Sequence, residues 1–298
     1  MVQSAPAAAP RLFVFGLGYT ALALAERLIA LGWDVAGTCR TPARAAALRE
    51  RGIAAQLFDR GRPLDDAAAA LADVSHVLSS VPPDEAGDAV LDHHGADLCS
   101  SRDLCWVGYL STTGVYGDRG GGWVDESAAR RPTGARGRRR VAAEDGWLAL
   151  HRLHGLPVHL FRLAAIYGPG RNALVLLRAG TARRIDKPGQ VFSRIHVDDI
   201  ATVLHASMMR PAPGAVYNVA DDLPAPPQDV VAYGAELLGV APPPLVPFAE
   251  ATLTPMARSF YDDSKRVAND RIKRELGVTL AYPDYKAGLR ALLEAGAF

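Results

Sequence analysis

A turn near the start of the chain has the residue spacing of a phosphate-binding loop. It reads F-V-F-G-L-G-Y-T-A over residues 13–21, which places Gly16, Gly18 and Ala21 in a G-x-G-x-x-A pattern. The first glycine permits a tight turn, the second lets a pyrophosphate approach the backbone, and the small third residue lets a helix pack closely on a strand. Phosphates would bind at the start of that helix, where N–H groups and the helix dipole favour negative charge. The pattern predicts a dinucleotide site, with a plain packing turn as the alternative.

The residues after the second predicted strand bear on which dinucleotide would bind. An NAD site commonly has an Asp or Glu here, which binds the ribose hydroxyls. This segment instead reads G-T-C-R-T-P-A-R over residues 37–44 and has no acid. Arg40 carries a permanent charge and can donate two hydrogen bonds at once, which suits the 2′-phosphate of NADP. We therefore expect NADP as the cofactor, with NAD less favoured; a solvated arginine at a strand end is the alternative.

The elements that would position these residues alternate between strand and helix. Each predicted strand is a near-continuous apolar run, which indicates a parallel sheet covered on both faces. Right-handed crossovers then give an α/β fold with a doubly wound parallel sheet, the Rossmann arrangement. Six strands are predicted, at residues 11–15, 33–40, 53–59, 74–81, 104–113 and 157–164, with helices at 21–31, 43–51, 65–72 and 141–153.

The pattern loosens after Tyr167. Proline clusters mark loops there, and two more helices are predicted near 227–239 and 284–295. We read this part as a smaller C-terminal substrate lobe. The expected division is a disordered tail at 1–10, a nucleotide-binding Rossmann domain at 11–166 to which 196–220 returns, and a substrate-binding lobe made of 167–195 and 221–298.

Composition narrows the class of protein. The chain has 33 basic and 32 acidic residues, so its net charge of +1 gives no general attraction to nucleic acid or to a membrane surface. No apolar run reaches the roughly 18 residues that a membrane span needs. Three cysteines in a chain of 298 residues favour reduced thiols and a cytoplasmic location. His93, His94, His151 and His154 are expected at the surface without a third ligand, so no metal site is expected.

Five further motifs occur along the chain. They are S-T-T-G-V-Y-G at 111–117, Asp125-Glu126 followed by Pro132, F-R-L-A-A-I-Y-G-P-G-R at 161–171, R-I-H-V-D-D-I-A at 194–201 and V-Y-N-V-A-D-D at 216–222. With these motifs and the glycine turn, the chain resembles the extended, epimerase/dehydratase-like side of the short-chain dehydrogenase/reductases over nearly its whole length. The resemblance implies a nicotinamide at the carboxyl end of the sheet and a small-molecule substrate.

The resemblance implies three catalytic groups, and the chain departs from them. The family uses a Ser or Thr hydroxyl, matched here by Thr112, and a Tyr four residues before a Lys. Counting back from Glu144 puts Arg140 at the Lys position and Arg136 at the Tyr position. A guanidinium, with a pKa above about 12, cannot exchange a proton near neutral pH. Arg140 can still hold a ribose hydroxyl, and Arg136 can attract an anionic substrate group.

Other residues are candidates for the missing proton exchange. Tyr116 is one, with a packing tyrosine of the V-Y-G turn as the alternative, and a similar alternative applies to Tyr167. His196 is another, because its ordinary pKa suits proton exchange; the expectation is that it packs at the junction of the two lobes, with Asp198 or Asp199 capping the next helix. Where the dehydratase branch has acids, this chain has Thr113 and Gly114, so a sugar-nucleotide 4,6-dehydratase is disfavoured.

Two functions remain open at this point. One is an NADP-binding oxidoreductase- or epimerase-like enzyme with an altered centre, acting on a small polar, anionic molecule; the other is a non-catalytic NADP-binding sensor or scaffold. The arginine-rich stretch lacks the aromatic platform of a nucleic-acid site. A loop at Gly120–Gly122 is expected to close over the substrate, and a homodimer is compatible with the helices. The expected catalytic residues are Thr112, Tyr116, Arg136 and Arg140, and the expected cofactor contacts are Gly16, Leu17, Gly18, Tyr19, Thr20, Thr38, Arg40, Asp59, Ser80, Val81, Arg140, Leu163 and Ala164.

Overall fold

The computed structural model describes residues 9–298, so residues 1–8 of the predicted tail lie outside the described residues. The strands are β1 (Arg11–Phe15), β2 (Asp34–Cys39), β3 (Ala54–Leu57), β4 (His76–Ser79), β5 (Trp106–Thr112), β6 (Trp123–Val124), β7 (Val158–Leu163), β8 (Ala165–Tyr167), β9 (Arg184–Asp186), β10 (Arg194–His196), β11 (Val216–Val219), β12 (Leu245–Pro247) and β13 (Arg266–Val267). The helices are α1 (Tyr19–Ala30), α2 (Pro42–Arg49), α3 (Ala67–Ala70), α4 (Ala89–Ser100), α5 (Ala135–His154), α6 (Ala173–Arg178), α7 (Val197–Met209), α8 (Pro227–Leu238), α9 (Pro255–Ser259), α10 (Asp270–Leu276) and α11 (Tyr285–Glu294).

A seven-stranded sheet contains all six predicted strands. Its strand order is β3-β2-β1-β4-β5-β7-β11, and β1 pairs in parallel with both β2 and β4. The first six of these strands follow the doubly wound order of Rossmann folds. Four consecutive residues of β1, Leu12 to Phe15, are buried. Successive side chains of a strand point to opposite faces, so both faces of the sheet are covered there. The predicted α/β fold class is confirmed.

The chain divides into two compact units. The first unit comprises the described residues of Met1–Leu110 with Ala143–Leu160 and Ser207–Ala215. The second unit comprises Ser111–Ala142, Phe161–Ala206 and Val216–Phe298.

The second unit has a core of its own. Tyr167, Leu174, Tyr285 and Leu289 belong to one buried cluster that also takes side chains from α8. Around it lie three two-stranded parallel pairs, β8 with β10, β9 with β12 and β6 with β13. These short pairs explain why no strand was predicted in this part, since strands of two or three residues leave no alternating pattern to detect.

The start of α7 differs from the expectation that Asp198 or Asp199 would cap it. Both aspartates lie inside the first turn, and the ring of His196 takes the capping position, where its Nδ1 accepts a hydrogen bond from Asp198 N at 3.2 Å. The carboxylate of Asp199 instead accepts hydrogen bonds from the amides of Ala281 and Tyr282, at 2.7 and 3.0 Å. A carboxylate that is fully buried needs such donors, and these lie far away in the sequence.

His94 also departs from its expected place at the surface. It is 2% exposed, its Nε2 accepts a hydrogen bond from Leu64 N at 3.1 Å, and its Nδ1 lies 2.9 Å from Asp97 Oδ2. The ring also stacks on Phe15. His94 is therefore a satisfied core histidine of the first unit, whereas His93 is exposed as expected.

Two absences apply to the described part of the chain. Over residues 9–298, no helix combines the length and apolar character of a membrane span. Within the same residues, no three His, Cys, Asp or Glu side chains come together as metal ligands could.

The buried His159 makes the first unit sensitive to acid. Its Nε2 accepts a hydrogen bond from Ala212 N at 2.9 Å, so the ring must be neutral there, and burial lowers the pKa of His159 to about 4. Because the unfolded chain takes up this proton near pH 6.5 and the folded chain does not, the stability from this group is present above pH 6.5. It is lost progressively as the pH falls toward 4.

We expect His159→Gln to flatten this dependence. Glutamine retains an acceptor oxygen but cannot take up the proton. Between pH 6.5 and 4, the slope of the unfolding free energy should fall by about 1.4 kcal/mol per pH unit relative to the wild type. Urea unfolding at several pH values measures the slope. His154→Gln, a change at an exposed histidine, should leave it unchanged; equal slopes for the His159 variant and the wild type would contradict the assignment.

Candidate functional site

The glycine turn of the first unit is held by the end of β2. The amide of Gly16 donates to Thr38 Oγ1 at 2.9 Å, and Leu17 N donates to Thr38 O at 2.8 Å. Gly16 has a φ of +87°, a conformation that glycine adopts without strain. A Cβ at this residue would also lie 3.1 Å from Val81 Cγ2. The buried Thr38 therefore fixes the backbone conformation that a tight phosphate-binding turn requires.

The start of α1 is open to an anion. Gly18 stands at the N-cap without a side-chain cap, and the first turn of α1 contains no acidic residue. A Cβ built on Gly18 would meet only Gly16 O, at 4.0 Å, so the space beside the backbone is free of protein atoms. These observations fit a pyrophosphate at the helix N-terminus. Tyr19 is exposed and Thr20 is buried.

Three arginines lie around the end of β2. Arg40 is exposed, and its carbonyl oxygen accepts a hydrogen bond from Arg62 Nη2 at 3.0 Å. Arg44 Nη2 lies 3.5 Å from Leu17 O, beside the glycine turn. Asp59, an expected cofactor contact, accepts from Arg62 Nη2 at 2.8 Å. The sequence reasoning identified Arg40 only. Arg44 was visible four residues later in the same segment, whereas Arg62 could be placed only by the fold.

The remaining expected contacts follow two other strands. Ser80 and Val81 come directly after β4, and Ser80 N donates to Phe15 O at 2.9 Å. Both lie in the first unit with the glycine turn. Leu163 and Ala164 lie in the second unit and are buried, and Ala164 N donates to Val219 O at 3.0 Å.

In the second unit, Thr112 lies next to the first turn of α5. Thr112 ends β5, and its Oγ1 accepts a hydrogen bond from Gly114 N at 3.2 Å. A Cβ on Gly137 would lie 2.9 Å from Gly114 O and 2.6 Å from Pro132 Cβ. The helix can approach this turn so closely only because residue 137 is glycine. The close approach brings together the segments that carry Thr112 and Arg136.

The two arginines that the sequence analysis assigned to the family's Tyr and Lys positions differ in exposure. Arg136 is exposed, and its guanidinium carbon lies 5.7 Å from the centre of the Phe260 ring. Arg140 is half-buried. The first turn of α5 has no acidic residue. The positive charges of its arginines therefore add to the positive end of the helix dipole, and no carboxylate in that turn neutralises them. This arrangement favours an anion near the start of α5.

Tyr116 is buried inside a hydrogen-bond network. Its hydroxyl donates to Asn218 Oδ1 at 2.7 Å and accepts from Arg162 Nη1 at 2.9 Å. Burial raises the pKa of Tyr116, although the Arg162 charge opposes that shift. Asn218 N in turn donates to Glu126 Oε1 at 2.7 Å. A hydroxyl that already has a donor and an acceptor as partners favours the packing interpretation over proton exchange with a substrate.

The loop at Gly120–Gly122 is held by backbone hydrogen bonds in this structure, and its closure over a substrate stays a prediction. Gly121 N donates to Ser264 O, and Arg266 N donates to Gly122 O, both at 2.9 Å. Gly121 is also buried. Backbone bonds from the segment around β13 therefore hold this loop in one conformation.

These features define an α/β protein with a Rossmann-type parallel sheet and a glycine turn between β1 and α1. The sequence model of the NAD-dependent epimerase/dehydratase family matches residues 12–220. The chain belongs to this family.

Three similar proteins illustrate the relationship. A structure of a conserved protein from Silicibacter pomeroyi DSS, described as functionally unknown, is 54% identical, with a TM-score of 0.89, and covers 97% of this chain and 99% of that one. Protein YeeZ of Escherichia coli K12 is 30% identical over 91% of this chain and 96% of its own length. UDP-glucuronic acid 4-epimerase from Bacillus cereus, in complex with UDP-glucuronic acid and NAD, shares the fold at 15% identity, with a TM-score of 0.75, over 94% of this chain and 97% of that one.

The glycine turn gives a direct test of the phosphate site. Gly18 has an extended backbone that any residue adopts, so Gly18→Val should fold normally, yet its side chain would fill the space for the pyrophosphate. We expect NADPH to lose its thermal stabilisation of this variant. Gly16→Val should instead lower the melting temperature without any ligand, because valine is strained at positive φ. Full NADPH stabilisation of Gly18→Val would show that the phosphates bind elsewhere.

The role of Tyr116 can be tested by removing its hydroxyl. Tyr116→Phe leaves Arg162 Nη1 and Asn218 Oδ1 without this partner, so the unfolding free energy should fall by about 1–3 kcal/mol. Urea titration measures this loss. Tyr282→Phe is a matched control, since the hydroxyl of Tyr282 has no hydrogen bond within residues 9–298. If Tyr116→Phe were as stable as the wild type but lost turnover, a chemical role would replace the packing role.

Proposed function

We propose that this protein is an NADP-dependent oxidoreductase- or epimerase-like enzyme that acts on a small anionic substrate. The observation that carries the proposal is the set of arginines at the end of β2, next to a glycine turn whose helix start is free of acidic residues. When bound, the cofactor would supply or accept a hydride at its nicotinamide. The residues of this chain would hold the cofactor and orient the substrate.

The preference for NADP rests on charge. Arg40 is exposed, Arg44 reaches the glycine turn, and Arg62 lies against the carbonyl of Arg40. A 2′-phosphate carries up to two negative charges and accepts bidentate hydrogen bonds from guanidinium groups. Asp59 is the nearby acid, and its carboxylate is bound by Arg62 and by Gly61 N at 3.0 Å. The Bacillus cereus epimerase was described with NAD, so this preference would distinguish the present chain from that relative.

The substrate centre is assigned to the turn after β5 and the first turns of α5. Thr112 would hydrogen-bond the reacting oxygen of the substrate, and Arg140 would hold a ribose hydroxyl of the cofactor. Arg136 would bind an anionic group of the substrate. Since neither arginine exchanges protons near neutral pH, the substrate itself or a solvent molecule would have to provide the proton.

A second candidate function, a non-catalytic NADP-binding sensor or scaffold, is supported by the environment of Tyr116. The only tyrosine in the motif at 111–117 has its hydroxyl fixed by Asn218 and Arg162. A family member without a proton-exchanging phenol could bind NADP without turnover and act as a sensor or scaffold. This candidate shares the cofactor site and differs only in chemistry.

Cofactor choice is the first prediction from this proposal. The wild type should bind NADPH at least about tenfold more tightly than NADH, a difference of about 1.4 kcal/mol. Arg40→Ala should remove most of that difference, because the 2′-phosphate loses a charged donor. Fluorescence titration with both cofactors measures it. Arg49→Ala changes an exposed arginine at the far end of α2 and should keep the preference. Equal affinities in the wild type would refute the NADP assignment.

Hydride transfer separates the enzyme from the sensor. With NADPH or NADP⁺ and a panel of carbonyl compounds and alcohols that carry carboxylate or phosphate groups, the enzyme should turn over at least one compound. Thr112→Ala should lower that rate without weakening NADPH binding. Arg140→Ala should weaken NADPH binding by about tenfold or more, because a charged hydrogen bond is lost. Tight NADPH binding with no turnover across the panel would favour the sensor.

A further inference from the structure

An exposed aromatic ring lies beside the exposed guanidinium of Arg136. Phe260 is 54% exposed, and its ring centre lies 5.7 Å from the guanidinium carbon. Phe260 belongs to a segment of residues 254–263, named here the recognition segment, which contains α9 and a 3₁₀ turn at Phe260–Asp262. A large apolar ring in contact with water is unfavourable, and an apolar partner that covered it would be stabilised.

The recognition segment is held against its neighbours by hydrogen bonds that leave Phe260 uncovered. Thr133 Oγ1, just before α5, donates to Asp263 Oδ1 at 2.6 Å. Gln190 Nε2 donates to Asp263 O at 2.7 Å, and Lys187 Nζ donates to Tyr261 O. The segment is thus anchored at 261–263, directly after Phe260, and its position relative to the first turn of α5 is defined.

The charged group that contacts this ring is Arg136. Of the other charged residues in the segment, Arg258 lies 4.8 Å from the centre of the Phe248 ring, and Asp263 is engaged by Thr133 and by Lys265 Nζ at 3.1 Å. An anionic group could pair with the Arg136 guanidinium while the rest of the ligand covers the ring.

A buried acceptor lies in the same neighbourhood. Gln190 is 2% exposed, and its Oε1 has no hydrogen-bond partner within the described residues. Because Nε2 is engaged by Asp263 O, the amide orientation is fixed by that bond. Buried acceptors are usually satisfied, whereas the contact by which Gln190 supports the segment is the bond from Nε2 to Asp263 O.

We propose, on the basis of the function proposed above, that the substrate is a small aromatic carboxylic acid. Its carboxylate pairs with the guanidinium of Arg136, and its ring packs on Phe260. Stacked or edge-to-face rings have centres about 4.5–7 Å apart. The Arg136 guanidinium and the Phe260 ring lie 5.7 Å apart. A compact molecule whose carboxylate is attached to an aromatic ring can therefore contact both. Phe260 is a specificity-determining residue, and Arg136 selects the charge.

Three probes separate the two contacts. Benzoate has the ring and the charge, benzamide lacks the charge, and cyclohexanecarboxylate lacks the planar ring. Binding is titrated by ligand-observed NMR with the NADP⁺-saturated protein. Benzoate should bind about tenfold or more tightly than benzamide. It should bind about two- to tenfold more tightly than cyclohexanecarboxylate.

Two variants assign these preferences to the residues. Arg136→Gln should abolish the preference over benzamide, and Phe260→Leu should abolish the preference over cyclohexanecarboxylate. Arg138→Gln and Trp123→Leu alter an exposed arginine of the same helix and another exposed aromatic residue, and they should leave both ratios unchanged. No preference for benzoate in the wild type, or an equal effect of the control variants, would overturn the proposal.

The same variants distinguish a failure of this inference from a failure of the proposed function. NADPH titration of each variant should give the wild-type affinity, because neither residue belongs to the phosphate turn. If NADPH binds as proposed while benzoate shows no preference, only the aromatic acid is wrong. If benzoate shows both preferences in protein without cofactor while NADPH fails to bind, the proposed function is wrong and the acid site stands.

Discussion

The hydrogen bond from the Gly16 amide to the Thr38 hydroxyl constrains the rest of the nucleotide turn. It joins the turn after β1 to β2, at a glycine whose φ is positive. Gly18 stands at the start of α1, and Arg40 follows two residues after Thr38. One buried side chain therefore holds the glycine turn against the strand that leads to Arg40.

The sequence was informative wherever function depended on local pattern. The six strands, the glycine turn and the helix predicted at 141–153 each arise from residues close together in the chain, so spacing and hydrophobicity were sufficient to predict them. The burial of His94 depends on Leu64 and Phe15, and the fixed loop at Gly120–Gly122 depends on residues 264–266. Such contacts join distant segments, and no local pattern carries them.

The candidate centre also combines residues that the sequence identified with residues that only the fold revealed. Counting along α5 identified Arg136 and Arg140, but only the fold revealed Phe260 beside Arg136 or Arg162 beside Tyr116. In the proposed function these two arginines stand at the positions of a phenol and an amine, and they would then supply permanent charge but no proton transfer.

The carboxylate of Asp199 has a consequence for how the protein is made. Its partners, the amides of Ala281 and Tyr282, lie 82 and 83 positions later in the chain. During synthesis these two bonds cannot form until residues 281 and 282 have left the ribosome, long after Asp199 itself has done so. A chain that stops before residue 281 would lack both amides, although its fold buries the Asp199 carboxylate against them.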